Sequence, residues 1–163
     1  MQFSFRFADK SAIDGLLPDL FDILYTNMSK IAPSGKTRDT EYEEWFSEVS
    51  PAMQKAPRQI VLMLDNDDII GYFQYYTRDD LLMMEEIQVK HEYHGSGIFG
   101  QFYSWLVDTL PDSLRTDEAF AHKQNTKSRG ILAHLGLSEI GTTDIGLLHF
   151  RGEYADLLVR YKK

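Results

Sequence analysis

A glycine-rich segment in the middle of the chain could bind a phosphate group. Gly95, Gly97 and Gly100 follow residues 81–89, which have strand character, and the last two glycines stand at the start of residues 97–110, which have helix character. Glycine lets the backbone turn tightly and lets a ligand approach without a Cβ in the way. The first amides of a helix lack intrahelical partners, and together with the helix dipole they favour an anion. The spacing therefore predicts a phosphate site at the start of this helix.

Two adjacent carboxylates interrupt the otherwise apolar strand before the glycines. Glu85 and Glu86 lie within residues 81–89, which are otherwise mainly Leu, Met, Ile and Val. A carboxylate in a mostly buried strand is costly unless it is paired or has a function. Because side chains alternate along a strand, we expect Glu85 to share a face with Ile87 and Val89. Either glutamate could act as a general base, face a solvated groove or pair with an arginine.

The same glycines also match Gly-x-Gly-x-x-Gly, the pattern of dinucleotide-binding proteins. In those proteins the motif opens the first strand–helix–strand unit of a doubly wound sheet. Here the motif begins after 94 residues, and only 63 residues follow Gly100. That remainder is too short for the second half of such a fold, so the motif does not favour dinucleotide binding.

The apolar periodicity predicts the elements that position these groups. Alternation predicts strands and a spacing of three to four predicts helices. The resulting order, β-α-α-β-β-β-α-β-α-β-β, places antiparallel hairpins before strand–helix–strand units. We therefore expect an α/β fold with one mixed, mainly antiparallel sheet and helices on both faces. The predicted strands cover residues 3–7, 59–64, 69–77, 81–89 and 119–121, and two or three more lie within 137–161; the predicted helices cover 13–24, 40–50, 97–110 and 126–135.

Prolines and a capping pattern predict where the first two helices are interrupted, begin and end. Gly15 and Pro18 predict a kink or two short pieces in the first helix. Thr40 and Glu43 form a capping-box pattern, which predicts that the second helix begins at Thr40. Pro51 is expected to end it.

Length and composition restrict the classes of function. A chain of 163 residues favours a single domain, residues 1–163. Its net charge of −8 disfavours nucleic acid and anionic membranes as partners, although a local basic patch could still hold an anionic cofactor. The absence of cysteine excludes disulfides, thiolate metal sites and cysteine nucleophiles, and we expect no metal. A polar start without an apolar signal-peptide core and the lack of a membrane-spanning apolar run favour a cytoplasmic protein.

Four segments, taken together, resemble the motifs of the GNAT superfamily of N-acetyltransferases. The run 89–99, Val-Lys-His-Glu-Tyr-His-Gly-Ser-Gly-Ile-Phe, is similar to the family's acetyl-CoA motif, with His94 where Gln or Arg is usual and Phe99 where Gly or Ala is usual. Residues 125–137 are similar to its Asn-x-x-Ala/Ser helix that ends in Leu-Gly-Phe. Residues 152–158 are similar to the Gly-x-Tyr-x-Asp start of its last strand, and residues 69–71 to its third strand. The resemblance covers nearly the whole chain and agrees with the predicted element order.

The resemblance implies a site for acetyl-CoA as the co-substrate. Main-chain groups of Ile87 and Val89 would pair with the pantetheine arm as an added strand does. Asn125 would contact the far end of the pantetheine, although capping its own helix would equally explain an Asn there. The implied pyrophosphate loop and the motif serine of the later helix comprise His94, Gly95, Ser96, Gly97, Ile98, Phe99 and Ser128.

The resemblance also implies the chemistry of acetyl transfer to a primary amine of a small molecule or peptide. Glu85 is expected to be the general base and the Val89 N–H the donor to the oxyanion. The tyrosine that usually protonates the leaving thiolate is replaced by Leu132, and no other residue takes its place convincingly. A non-catalytic acyl-CoA-binding module of the same fold is therefore the alternative. The sequence leaves the acceptor amine and a homodimer open.

Overall fold

The computed structural model describes residues 1–55 and 57–163. Within them, strands and helices follow the order β-α-α-β-β-β-α-β-α-β-β-α, which is the predicted order with one helix added at the end. The strands are β1 (Ser4–Phe7), β2 (Gln59–Asp65), β3 (Asp68–Arg78), β4 (Leu81–Val89), β5 (Thr116–His122), β6 (Ser138–Thr142) and β7 (Leu147–Glu153). The helices are α1 (Ile13–Met28), α2 (Arg38–Met53), α3 (Ile98–Thr109), α4 (Thr126–His134) and α5 (Tyr154–Tyr161).

The strands form a sheet in the order β1-β2-β3-β4-β5-β7-β6. β1 pairs with β2, β5 with β7 and β6 with β7 in antiparallel fashion, whereas β4 and β5 are parallel. The predicted mixed, mainly antiparallel sheet is therefore confirmed. Residue contacts divide the chain into two compact units, the first with residues 1–74 and 86–96 and the second with residues 75–85 and 97–163. β3 and β4 each contribute residues to both units.

The first unit has a core that joins α1 and α2 to β2 and β3. Leu17 and Leu20 lie one turn apart on α1, and both are fully buried. Ile60 and Leu62, which alternate along β2, are buried in the same cluster. The apolar residues that recur with helical spacing in α1 and those that alternate in β2 therefore face a common core. The cluster also contains Ala8, Ile13, Val49, Met53 and Tyr72.

Both helices of this unit continue past the prolines that were expected to kink or divide the first and to end the second. α1 is a continuous helix with Pro18 inside it, so the prediction of separate pieces is wrong, and α2 continues through Pro51 to Met53. Burial on both sides of each proline offsets the lost hydrogen bond. Leu17 and Leu20 are buried around Pro18, and Val49 and Met53 are buried around Pro51. Such packing commonly overrides local propensity.

The capping prediction for α2 is displaced by one turn. The hydroxyl of Thr37 accepts a hydrogen bond from the N–H of Thr40 at 3.2 Å, so Thr37 caps the helix and Arg38 begins it. The Thr40 N–H is thus one of the first amides of the helix that need an outside partner.

The second unit packs α3 and α5 together, and β5 is buried along most of its length. Tyr103 of α3 contacts Tyr161 of α5 with ring centroids 5.4 Å apart. Along β5, Asp117, Ala119 and Ala121 are buried, whereas Phe120 is 37% exposed. β5 begins earlier than predicted, at Thr116, because its pairing with β7 starts at Thr116↔Glu153.

The last element is a helix and not the predicted strand. β7 ends at Glu153, and residues 154–161 form α5. Tyr154 and Leu157 are three residues apart and both are fully buried. This spacing is helical, since a strand would place these two side chains on opposite faces. The motif of residues 152–158 therefore spans a strand end and the start of a helix.

Candidate active site

The glycine loop has the backbone that its sequence predicted. Gly95 and Gly97 adopt left-handed φ values of +80° and +88°, which only glycine adopts without strain. Gly97 directly precedes α3, and the first intrahelical bond runs from the Gln101 N–H to the Gly97 carbonyl at 3.2 Å. The amides of Ile98 and Phe99 precede that bond. A Cβ on either loop glycine would meet no atom within 4 Å, so a ligand could approach the backbone there.

Two other loop residues are turned toward the protein. His94 Nε2 lies 3.0 Å from the carbonyl oxygen of Val89, and Ser96 Oγ donates to the carbonyl of Tyr93. The Tyr93 hydroxyl in turn donates to Asp65 at 2.7 Å, which ties the loop to the end of β2. In this arrangement His94 secures the end of β4, and its predicted contact with a pyrophosphate stays a prediction.

The end of β4 is held by a residue that the sequence did not single out. Asn27 Nδ2 donates to the Val89 carbonyl at 2.9 Å and to Gln88 Oε1 at 3.0 Å. The Lys90 N–H donates to Ile70 on β3 at 2.8 Å. Because polar groups of successive strand residues point in opposite directions, the N–H and C=O of Val89 point away from β3. The Val89 N–H is thus directed outward from this strand pair, and its role as the oxyanion donor stays a prediction.

Glu86 belongs to the same network in the first unit. Its Oε1 accepts from Gln88 Nε2 at 2.7 Å, so Glu86, Gln88 and Asn27 form a chain that leads to the Val89 carbonyl. The nearby Tyr72 is fully buried, and its hydroxyl makes no hydrogen bond to any described residue. Burial, and secondarily the charge of Glu86, raise the pKa of Tyr72 well above its ordinary value. These contacts show Glu86 and Gln88 on one face, as strand parity predicted.

Glu85 lies in the second unit, where it is half-buried. Met83, two residues before it, is the Cα partner of Glu118 on β5. Alternation places Glu85 on the same face as Met83 and therefore as Glu118. Along β4, Leu82 and Met84 are buried, residues 85–87 are all half-buried, and Gln88 and Val89 are buried again. The regular alternation breaks at Glu85, so strand parity alone does not fix its relation to Ile87 and Val89.

The residues predicted on α4 serve its local structure. Asn125 Oδ1 accepts from the Ser128 N–H at 3.0 Å, so Asn125 is the side-chain cap of the helix. Leu132, at the place where the family usually has a tyrosine, is buried at 8% exposure. The described contacts of these residues need no ligand, and a role toward pantetheine stays a prediction.

A cavity of about 360 Å³ lies between α1 and α2 in the first unit. Glu41, Glu44 and Glu48 line it from one face of α2, as their spacing of three and four dictates. Lys36, from the loop before α2, pairs with Glu44 at 2.8 Å. An ammonium group that belongs to the chain itself therefore already binds at this carboxylate. The apolar part of the lining comprises Phe21, Leu24, Tyr25, Met28, Ala32 and Trp45.

The part of the chain that the structure describes contains neither a membrane-spanning helix nor a metal-binding cluster. None of its helices combines the length and the apolar character that crossing a membrane requires. No group of three or more His, Asp or Glu side chains within residues 1–55 and 57–163 is arranged to hold a metal ion.

Comparison with known proteins identifies the fold through structure. No protein-family model and no curated protein sequence matches the chain. Many solved structures do match, among them an acetyltransferase from Thermus thermophilus, with a TM-score of 0.72 and 13% identity over 94% of this chain and 97% of that one.

Two further structural neighbours were solved as complexes with coenzyme A. The PaiA N-acetyltransferase from Thermoplasma acidophilum has a TM-score of 0.70 and 10% identity over 94% of this chain and 100% of its own. The spermidine N-acetyltransferase from Vibrio cholerae, bound to CoA and spermine, has a TM-score of 0.63 and 14% identity over 96% and 98%. The chain therefore has the fold of the GNAT N-acetyltransferases, as its motifs predicted.

Proposed function

We propose that this protein is an N-acetyltransferase that moves an acetyl group from acetyl-CoA to a primary amine. The observation that carries the proposal is the backbone of the loop before α3, where Gly95 and Gly97 have left-handed φ values and open space at their Cα atoms. Helix N-termini that follow such glycines are suited to phosphate. Neighbours of the same fold were solved with coenzyme A, which supports CoA as the ligand of this loop.

The α1–α2 cavity is the acceptor site in this proposal. Its three glutamates would attract a cationic amine, and its apolar lining would bind the carbon skeleton of that amine. The ion pair between Lys36 and Glu44 supports an ammonium group at this cavity wall. The amine itself remains to be found by screening a polyamine, an amino-sugar and a peptide with a free N-terminus.

The ligand class can be tested with two glycine variants that impose the same backbone strain. Gly97 and Gly146, in the β6–β7 turn, have φ values of +88° and +85°, and a Cβ at either would meet no atom within 4 Å. Gly97→Ala and Gly146→Ala should therefore lose similar stability, roughly 1–2 kcal/mol each. Only Gly97→Ala should bind acetyl-CoA more weakly in calorimetry, by about tenfold or more, which corresponds to about 1.4 kcal/mol.

The wild-type protein provides the companion measurement. Acetyl-CoA and CoA should raise its melting temperature, because a ligand that binds only the folded state stabilises it. A response to NAD without one to acetyl-CoA would contradict the proposal, and equal CoA affinity in both glycine variants would place the phosphate elsewhere.

The alternative function is a module that binds acyl-CoA without catalysis, because the buried Leu132 has no proton to give to a leaving thiolate. Release of free CoA thiol in the presence of an amine from the panel separates an enzyme from a binding module. Tight acetyl-CoA binding with no thiol release from any amine in the panel would favour the module.

A further inference from the structure

The second unit contains a carboxylate–imidazole pair that the sequence did not reveal. His149 Nε2 lies 2.5 Å from Glu118 Oε1, although 31 residues separate them in the chain. The Glu118 side chain is only 10% exposed, and its other oxygen is 3.4 Å from Arg151 Nη2. The ring of Phe120 stacks on the His149 ring with centroids 4.5 Å apart and planes 19° apart. A nearly buried carboxylate and an aromatic ring thus fix the orientation of this imidazole.

The contact with Glu118 distinguishes the two nitrogens of His149. A carboxylate accepts a hydrogen bond, so Nε2 must carry a proton. Nδ1 makes no hydrogen bond to any residue in the described ranges and remains for exchange with a bound group. The His149 side chain is 26% exposed, which leaves part of the ring accessible. This division, with one nitrogen held by a carboxylate and the other available, is typical of imidazoles that transfer protons.

Strand register places His149 near Glu85 on one face of the sheet. The β4–β5 pairs run from Leu81↔Thr116 to Met84↔Ala119, so Glu85 and Phe120 are the next residues on the two strands. His149 is the Cα partner of Phe120 on β7. With β5 between them, the backbones of β4 and β7 are about 10 Å apart at the last β4–β5 pair. Glu85 and His149 therefore flank the space above Phe120.

We propose that His149, oriented by Glu118, is the proton donor to the leaving thiolate in the acetyl transfer proposed above, on which this inference rests. The amine nitrogen, deprotonated by Glu85, forms a bond to the thioester carbonyl carbon, and the C–S bond then breaks with its electron pair going to sulfur. His149 Nδ1 delivers a proton to that sulfur. Two protons leave the nitrogen through Glu85 to solvent and one returns from solvent to His149, so the reaction releases one proton overall.

His149 would take over the role of the tyrosine that the family usually has on α4, where this chain has Leu132. Leu132 cannot donate a proton, whereas an imidazolium can, and the Glu118 carboxylate complements its charge. Arg151 touches the same carboxylate but is exposed, with 54% of its side chain accessible. In this arrangement Glu118 is a positioning residue, whereas an ion pair as exposed as that of Arg151 contributes little. Arg151 therefore has no role in the transfer.

The kinetic test compares His149→Gln with Arg151→Gln in acetyl-CoA turnover, using whichever amine of the panel supports thiol release. We expect His149→Gln to lower kcat roughly a hundredfold or more while acetyl-CoA affinity stays at the wild-type value. Glu118→Gln should lower kcat less, and Arg151→Gln should behave like wild type. A wild-type rate for His149→Gln would overturn the inference while leaving the proposed function intact, whereas no thiol release by wild type would overturn both.

A pH profile separates proton donation from a structural effect. A donor must carry the proton that it gives to the thiolate, so the wild-type kcat should fall as the solution becomes more basic. His149→Gln should lack that falling limb. The other titratable or charged side chains on this face are Glu85, Glu118, His122, Arg151 and Glu153. The profile of Arg151→Gln must therefore retain the limb. Loss of the limb in Arg151→Gln, or its persistence in His149→Gln, would contradict the assignment.

A measurement on the resting protein covers the case in which a variant does not fold. Long-range ¹H–¹⁵N spectra of wild type should show the Nε2-protonated form of neutral His149, as its contact with Glu118 requires. A His149 resonance in the Nδ1-protonated form would overturn the inference without any assay of turnover.

Discussion

Asp117 and Glu118 are adjacent on β5, yet they occupy opposite environments. Glu118 is held by His149 and Arg151, whereas both oxygens of Asp117 are buried and make no hydrogen bond to any described residue. Burial, and secondarily the charge of Asp156, raise the pKa of Asp117 to about 6. Neighbouring side chains on a strand point to opposite faces, so Glu118 has partners on one face while Asp117 is isolated on the other. The comparison shows that the face, and not the residue type, decides which acid is available for chemistry.

The largest expected effect concerns the carboxylate on the Glu118 face that is proposed as the base. Glu85→Gln keeps the shape of the side chain and removes the proton acceptor, so turnover at neutral pH should fall roughly a hundred- to ten-thousandfold. Turnover should recover partly at high pH, where the amine is already neutral, while calorimetry should show unchanged acetyl-CoA affinity.

Variants of two other acids control this experiment. Asp117→Asn, on the opposite face, should leave turnover unchanged, and Glu86→Gln should have a much smaller effect than Glu85→Gln. If Glu86→Gln were inactive while Glu85→Gln turned over normally, the base would be Glu86, whose carboxylate accepts a hydrogen bond from Gln88.

The second effect is on stability and its pH dependence. The pKa of Asp117 rises from 3.8 to about 6 on folding, so the folded state binds a proton more tightly than the unfolded state. The contribution of Asp117 to stability is therefore most favourable below about pH 4, declines between pH 4 and 6 and stays low above pH 6. Asp117→Asn should remove this decline and raise the free energy of unfolding at pH 7 by at most about 3 kcal/mol, because the buried amide of Asn also lacks hydrogen-bond partners.

Denaturant titrations at pH 4 and pH 7 check both the sign and the pH range. Glu118→Gln is the matched control, and it should destabilise the protein by up to about 1 kcal/mol at pH 7, because an amide oxygen binds Arg151 and His149 more weakly than a carboxylate does. Destabilisation of Asp117→Asn at pH 7 would mean that the Asp117 carboxylate is stabilised in its charged form, and the contrast between the neighbours would then disappear.

The smallest effect concerns a second buried polar group near Asp117. The Tyr154 hydroxyl makes no hydrogen bond to any residue in the described ranges, and burial, followed by the charges of Asp112 and Asp117, raises its pKa to about 12. Tyr154→Phe removes a group that lost its hydration on folding, so stability should stay equal or rise by up to roughly 1 kcal/mol. Tyr161→Phe, at a half-buried position, should change little. A clear loss of stability in Tyr154→Phe would show that the hydroxyl has a partner, such as a water shared with Asp117.

Local patterns in the sequence determined the elements and the glycine loop of this protein. The order of strands and helices, the mixed sheet and the left-handed glycines before α3 depend on residues close in the chain, whose periodicity and backbone freedom can be read directly. The local rules failed where packing competed with them. Pro18 and Pro51 are accommodated within helices because the residues around them are buried, and α5 forms where a family motif indicated a strand.

Only the tertiary structure decided which polar groups meet. Asn27 reaches the Val89 carbonyl across 62 residues, and Glu118 reaches His149 across 31. The environments of Asp117 and Glu118 differ because pairing with β7 fixes which face of β5 each occupies, and composition cannot specify that pairing. Contacts of this kind arise from the register of strands and the docking of helices, and they determine the burial and partners from which each group derives its chemistry.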